Sequence, residues 1–145
     1  MGDLEKDIKS KFENNRVKAL LNIIYTANWI TSSQNEFFKD FGISPQQYNI
    51  LRILNGANKP LKVQTIKDRM LERSPNTTRL MDKLCAKSYI KRLPSEQDRR
   101  VVKIVITTTG KALLKSIPRN FNKNLLKNLN EEEAEQLSNL LDKMR

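Results

Sequence analysis

Residues 74–84, with the sequence Ser-Pro-Asn-Thr-Thr-Arg-Leu-Met-Asp-Lys-Leu, predict the start of a helix that extends to about Lys87. Serine followed by proline is typical of a helix N-terminus, because the serine hydroxyl caps free N–H groups and proline suits the first turn. The apolar spacing of Val63 to Met70 predicts a shorter helix just before it. Two short helices only a few residues apart indicate a helix-turn-helix.

The segment that follows has the pattern of a β-hairpin. Tyr89–Leu93 is short and β-prone, and Val101–Ile106 is rich in β-branched residues. The polar turn over residues 94–99 separates them, so the hairpin has a charged tip at Asp98-Arg99-Arg100. A helix-turn-helix followed directly by a hairpin is a winged helix-turn-helix, and the fold class is therefore mainly α with a small β-hairpin wing.

Further helices are predicted on both sides of this region. Apolar residues at spacings of three and four predict a long helix over Val17–Phe41, and Leu4, Ile8 and Phe12 continue that spacing more weakly. The long helix is too apolar to be covered on one face only, which is typical of a bundle centre or a dimer interface. The other predicted helices run from Pro45 to Asn55, from Thr107 towards Ile117, and from Asn130 to the C-terminus.

The charge is concentrated in the middle of the chain. The 145 residues include 27 bases and 16 acids, which gives a net charge of +11. Residues 59–104 hold thirteen bases and five acids, and residues 105–130 hold five bases and no acid. A basic centre between a neutral and an acidic end favours a module that binds a polyanion.

The composition excludes most enzyme chemistry. Histidine is absent, which excludes Ser-His and Cys-His nucleophile pairs and histidine metal ligands. The single cysteine excludes an internal disulfide, and the four glycines form no phosphate-binding loop. We therefore expect no enzyme, no metal and no cofactor. No apolar run approaches the roughly 18 residues of a membrane span, so we expect a cytoplasmic protein without membrane contact.

Three stretches resemble the MarR family, the multiple-antibiotic-resistance-type regulators of bacteria. They are Ser44-Pro-Gln-Gln-Tyr-Asn-Ile-Leu-Arg-Ile-Leu54, residues 74–84 quoted above, and Asp98-Arg-Arg100 followed by Ile106-Thr107. The resemblance implies one domain over residues 1–145, with the winged helix-turn-helix at about 44–106 and dimerisation helices at about 1–43 and 107–145. It also implies a homodimeric transcriptional regulator that binds a pseudo-palindromic operator in double-stranded DNA, as a repressor released by a small aromatic or anionic effector.

The resemblance and the chemistry of the side chains also give candidate site residues. Short polar side chains at a helix start can reach base edges, and arginine pairs with phosphate and fits narrow grooves. The DNA-binding candidates are Arg73, Ser74, Asn76, Thr77, Thr78, Arg79, Lys83, Asp98, Arg99 and Arg100. Thr77 could instead face the core. The resemblance implies that Asp98 orients Arg100, which enters the minor groove.

Three further features of the sequence are open to interpretation. Tyr25, Trp29 and Tyr48 are candidate effector-binding residues, although aromatic residues at helical spacing are more often part of a core. For Cys85 we expect a structural or incidental role and not redox sensing. Ser88 stands where the family often has glycine.

Two alternatives to a sequence-specific regulator stay open. A nonspecific architectural nucleic-acid-binding protein would explain the charge but not the two polar helix starts. A protein-interaction module with a winged fold would leave the basic centre unexplained.

Overall fold

The computed structural model describes residues 2–145, which form seven helices and three short strands. The elements are α1 Leu4–Asp7, α2 Asn15–Lys39, α3 Pro45–Ala57, β1 Leu61–Lys62, α4 Val63–Arg69, α5 Thr77–Ala86, β2 Ile90–Pro94, β3 Val102–Ile106, α6 Thr108–Ser116 and α7 Glu131–Lys143. This order confirms the mainly α fold with a β wing. Two compact units are present, one made of Gln34–Pro118 and the other of the chain up to Ser33 together with Arg119–Arg145.

The unit Gln34–Pro118, here called the winged unit, contains an antiparallel sheet in the order β1-β3-β2. Ile90 lies opposite Ile106 and Leu61 lies opposite Ile104, and all four side chains are buried. The hairpin was predicted, but the pairing of β1 with β3 was not. The core that these residues share with α3 and α5 also contains Ile50, Leu51, Leu54, Met81 and Leu84.

Helix α3 begins with a capping box, as the Ser44-Pro45 start predicts. The N–H of Gln47 donates to Oγ of Ser44 at 3.1 Å, and the N–H of Ser44 donates to Oε1 of Gln47 at 2.9 Å. The predicted end at Asn55 is two residues too early. Gly56 remains helical, and the helix ends before Asn58, whose φ of 51° takes the chain out of the helix.

A tight junction joins the C-terminal end of α5 to β2 and α6. Ser88, with φ of 62°, reverses the chain in the left-handed conformation that glycine would adopt more easily. The Thr107 N–H donates to the carbonyl of Tyr89 at 3.0 Å, and the Thr107 hydroxyl donates to the carbonyl of Ser88 at 2.6 Å. The same hydroxyl oxygen accepts the N–H of Gly110 at 3.0 Å, which caps α6 as predicted.

The weak apolar spacing through Leu4, Ile8 and Phe12 does not extend the long helix, and that expectation was wrong. Helix α1 ends at Asp7, and Lys9 has φ of 51°, which interrupts helical geometry. The long helix starts afresh at Asn15, where Oδ1 of Asn14 accepts the N–H groups of Arg16 and Val17 at 3.0 Å. Local capping therefore sets this boundary more strongly than apolar spacing does.

The other unit contains α1, most of α2, and α7. Helix α7 has the predicted cap, since Oδ1 of Asn130 accepts the N–H of Glu133 at 2.9 Å and the N–H of Asn130 donates to Oε2 of Glu133 at 2.9 Å. Large apolar side chains of this unit are exposed, namely Leu20, Leu21, Ile24, Tyr25, Trp29, Leu126, Leu129, Leu137, Leu140 and Met144. None of the helices within residues 2–145 has both the length and the apolar content needed to cross a membrane.

We expect Gly110→Ala to destabilise the winged unit by about 1–3 kcal/mol, because overpacking a tight site forces the backbone to move. A Cβ at this position would press into the carbonyl oxygen of Tyr89 and lie 2.8 Å from Cγ1 of Ile106. Gly56→Ala is the matched control, since nothing beyond its chain neighbours and the backbone of its own helix lies within 4 Å of the added Cβ. Because alanine favours a helix interior more than glycine does, the free energy of unfolding of Gly56→Ala should rise by about 0.5 kcal/mol. Urea unfolding of both variants measures the difference, and equal midpoints would contradict the close approach at Gly110.

Candidate nucleic-acid interface

Helix α5 begins at Thr77, two residues later than the serine-proline start predicts. Oγ of Ser74 accepts the N–H of Asn76 at 3.1 Å, so the serine stabilises a turn that precedes the helix. Asn76 occupies the cap position, and its carbonyl accepts the N–H of Leu80 at 3.0 Å. The Ser-Pro pair therefore ends the preceding loop instead of capping α5.

The side chains at the start of α5 divide into one that is buried and several that are exposed. Thr77 is only 1% exposed, and its hydroxyl donates to the carbonyl of Ser74 at 2.8 Å. The prediction that Thr77 contacts DNA is wrong for its side chain, which is used to hold the turn. Asn76, Thr78, Arg79 and Lys83 are exposed. Arg79 and Lys83 are four residues apart and so lie on one side of α5.

Helix α3 supports this region through side chains that sequence patterns do not single out. Oδ1 of Asn49 accepts the N–H of Leu71 at 3.0 Å, and Nε2 of Gln46 donates to Oε2 of Glu72 at 2.9 Å. Both bonds hold the turn between α4 and α5. Nε2 of the buried Gln47 donates to the carbonyl of Leu80 at 3.4 Å, which ties α3 to α5 directly.

The tip of the wing is held by Asp98. Its Oδ1 accepts the backbone N–H of Arg100 at 2.9 Å, and its carbonyl accepts the N–H of Val101 at 3.0 Å. The side chains of Arg99 and Arg100 are exposed. Asp98 therefore contacts Arg100 through the main chain, where it fixes the course of the turn and leaves the guanidinium group outside this hydrogen bond.

An ion pair links α5 to the wing. Asp82 on α5 accepts a hydrogen bond from the guanidinium of Arg92 on β2. This bond is the main reason that the pKa of Arg92 lies above its ordinary value. Both side chains are partly exposed, so the pair adds little to stability. Its larger effect is to neutralise an acid on a helix whose neighbouring exposed side chains are basic.

A cleft of about 410 Å³ lies between α4 and the turn before α5. Lys67, Arg73 and Ser74 line it together with Asp68, whose Oδ1 accepts a hydrogen bond from Gln64 at 2.8 Å. Two cations beside a hydroxyl can receive one phosphate group. Arg73 and Ser74 were predicted as site residues, whereas the charge of Lys67 alone leaves open whether it meets phosphate or only solvent.

The three candidate effector residues do not share one unit. Tyr48 belongs to the winged unit, where its ring centre lies 4.8 Å from that of the buried Phe38. Tyr25 and Trp29 belong to the other unit and are exposed, Trp29 by 48%. Cys85 is a partly buried free thiol. In the described part of the chain, residues 2–145, acids and cysteine form no group that could hold a metal ion.

Comparisons with known proteins agree with this arrangement. Residues 43–102 match the model of the MarR family. The HTH-type transcriptional regulator PapX of Escherichia coli is 37% identical over 82 residues, which span 56% of this chain and 50% of PapX. The chain thus spans about half the length of that curated relative.

The solved structures that are similar in fold include the following two. A MarR transcription factor from Planctomyces limnophilus has a TM-score of 0.70 and 29% identity, over 91% of this chain and 98% of that chain. MepR of S. aureus, solved as a complex with DNA, has a TM-score of 0.74 and 26% identity, over 92% of this chain and 97% of that chain. The likeness therefore extends well beyond residues 43–102.

We expect Thr77→Val to destabilise the winged unit by about 1–2 kcal/mol, because the shape is kept while the carbonyl of Ser74 loses its donor. Thr78→Val makes the same chemical change at an exposed neighbour and should alter the free energy of unfolding by less than about 0.5 kcal/mol. Chemical denaturation of the two variants provides the comparison. Equal stabilities would show that the Thr77 hydroxyl does not hold the turn.

Proposed function

Because this chain belongs to the MarR family, we propose that it is a sequence-specific, DNA-binding transcriptional regulator. One observation carries the proposal: the exposed polar start of α5 and the arginine-bearing wing tip belong to one unit, in which the Asp82–Arg92 ion pair ties helix to wing. The published complex of MepR with DNA supports it, since that protein has a similar fold.

In this proposal α5 enters the major groove of double-stranded DNA. Asn76 and Thr78 can bond base edges there, and Arg79 can pair with guanine or with phosphate. Arg73, Ser74 and Lys83 contact the backbone, which sets the register of the helix without reading sequence. Thr77 has no contact in this scheme, because its hydroxyl is already bound to Ser74.

The wing occupies the flanking minor groove. Arg99 and Arg100 are the groups that enter it or bind its phosphates, since arginine suits a narrow and strongly negative groove. Asp98 keeps the tip in shape through its bond to the Arg100 N–H. Without that bond the tip would be less ordered in the free protein. The entropy lost on ordering it against DNA would then lower the affinity.

We also propose that the regulator is a homodimer. The unit outside the winged one exposes Leu20, Ile24 and Trp29 on α2, Leu137 and Leu140 on α7, and Met144 directly after α7. Apolar exposure of this extent favours an interface. A second copy is the proposed partner, so the helices within about 1–43 and 107–145 that lie outside the winged unit act as dimerisation helices. A two-fold dimer reads a pseudo-palindrome with half-sites about one helical turn apart.

The finer form of the proposal is a repressor that a small aromatic or anionic effector releases from its operator. Such an effector acts if it binds better to a dimer with altered spacing of the two α5 helices. Tyr25 and Trp29, which belong to one unit, are the proposed contacts, and the exposed indole of Trp29 reports binding through its fluorescence. A panel of aromatic acids titrated against the protein–operator complex tests this form, and undiminished operator binding with each compound would reject it.

The experiment that tests sequence specificity is fluorescence anisotropy on short duplexes tiled across the DNA upstream of the gene, with a shuffled duplex as control. Specific proteins bind their sites roughly 10³-fold or more tightly than other DNA. If tiling yields no such site, a random-library selection follows. If both the tiled duplexes and the selected library show uniform binding with steep salt dependence, the protein is an architectural one and the proposal fails.

We expect Arg79→Ala and Arg100→Ala each to weaken operator binding by about 1–3 kcal/mol, because each removes a contact to a base or to an inserted groove. Arg16→Ala, which removes an exposed arginine from the other unit, is the matched control and should bind as the wild type does. Anisotropy titrations at fixed salt measure all three. Full affinity in both test variants would refute these contacts.

We expect Leu140→Glu to convert the dimer to a monomer and to weaken operator binding at least tenfold, which is roughly 1.4 kcal/mol. Leu140 is 64% exposed, and a carboxylate there would have to be buried in the dimer. Asn139→Glu adds the same charge at the preceding exposed position, about 100° around α7, and should stay dimeric. Sedimentation gives the mass of each variant, and a dimeric Leu140→Glu variant would place the interface elsewhere.

A further inference from the structure

The strand register sets two lysines directly opposite each other beside the wing. Lys62 on β1 pairs with Lys103 on β3. Side chains at opposed antiparallel positions lie on the same face with Cβ atoms roughly 5 Å apart, and like charges placed so are destabilising. No local turn or cap requires a lysine at either position. The pair therefore costs stability in the free protein and calls for an explanation.

The two lysines belong to the outer face of the sheet. Their neighbours Leu61 and Ile104 form the adjacent pair and are buried, so the alternation of side chains turns Lys62 and Lys103 away from the core. Lys91 lies on the same outer face, opposite Val105. We call Lys62, Lys91 and Lys103 the outer lysine face.

The outer lysine face is not neutralised within the protein. Among residues 2–145, no carboxylate lies within 4.0 Å of the ammonium groups of these lysines. Glu96 shares a cleft of about 210 Å³ with Lys103 but does not form an ion pair with it. The charge is therefore available to an external anion.

The position of the pair indicates which anion this is. Lys103 also pairs with Leu93, and the next pair, Pro94 with Val102, is the last before the wing tip. Lys62 and Lys103 thus lie at the base of the tip that carries Arg99 and Arg100. A DNA duplex whose minor groove receives the tip has its backbone phosphates next to that base.

We propose that the outer lysine face binds backbone phosphates of the DNA that flanks the wing and so extends the footprint beyond the major-groove site. This inference rests on the proposed function. Bound phosphate relieves the repulsion between Lys62 and Lys103, so the arrangement that costs stability in the free protein contributes affinity in the complex. Contacts to phosphate carry no sequence information, and their loss should weaken all duplexes alike.

The test compares the double variant Lys62→Gln/Lys103→Gln with the wild-type chain in a salt series. Each phosphate contact contributes about 0.9 to the slope of log affinity against log salt. We expect the slope to fall by roughly 2 and the affinity at 0.15 M salt to fall about 30-fold, equally for operator and shuffled duplexes. Lys115→Gln, on α6, is the control and should keep the wild-type slope.

Stability separates this role from damage to the sheet. The double variant should unfold at an equal or higher urea concentration than the wild type, because the repulsion is removed. Lys62→Glu places an opposite charge beside Lys103. It should raise the urea midpoint while it weakens binding to DNA. An unchanged salt slope, or weaker binding that accompanies lower stability, would overturn the inference. If the wild type itself binds no duplex, the proposed function fails first and the inference fails with it.

Discussion

The geometry of the surface formed by α5 and the wing depends on the junction of Ser88 and Tyr89 with the start of α6. Within about four residues the chain must leave α5, reverse, and enter β2 in a register that buries Ile90. Thr107 fixes the reversal from the other side, because it donates to the carbonyls of both Ser88 and Tyr89. Gly110 allows α6 to lie against that backbone. These contacts therefore help to fix the start of β2 relative to the end of α5.

Residues that hold the surface are separate from residues that can touch DNA. Thr77, Gln47 and Asn49 use their polar groups on backbone atoms of the turn and of α5. Arg79, Lys83 and Arg100 lie exposed on the same unit, apart from these bonds. A surface held in this way is ordered before it binds, so less conformational entropy is lost on binding. Asp82 stands between the two groups, since its pairing with Arg92 both links α5 to β2 and removes a negative charge from the exposed side of α5.

Sequence patterns predict most of this fold, because its helix starts and its strands are encoded locally. Ser44, Thr107 and Asn130 cap helices as expected, and the β-branched run at Val101–Ile106 forms β3. The start of α5 was wrong, since Ser74 bonds within the preceding loop. The burial of Thr77, the strand β1 and the Asp82–Arg92 pair depend on distant partners, which spacing along the chain does not reveal.

The features that are unfavourable in the free chain also depend on partners, and this makes them informative. A chain selected for stability alone would not place Lys62 opposite Lys103, nor leave Trp29 and Leu140 in water. Each feature becomes favourable only with a partner, a polyanion for the lysines and an apolar surface for the tryptophan and leucine. The two demands fall on different units of the chain. The proposed homodimer on DNA would meet both demands, because the apolar helices would be covered by a second copy and the lysines would contact the duplex.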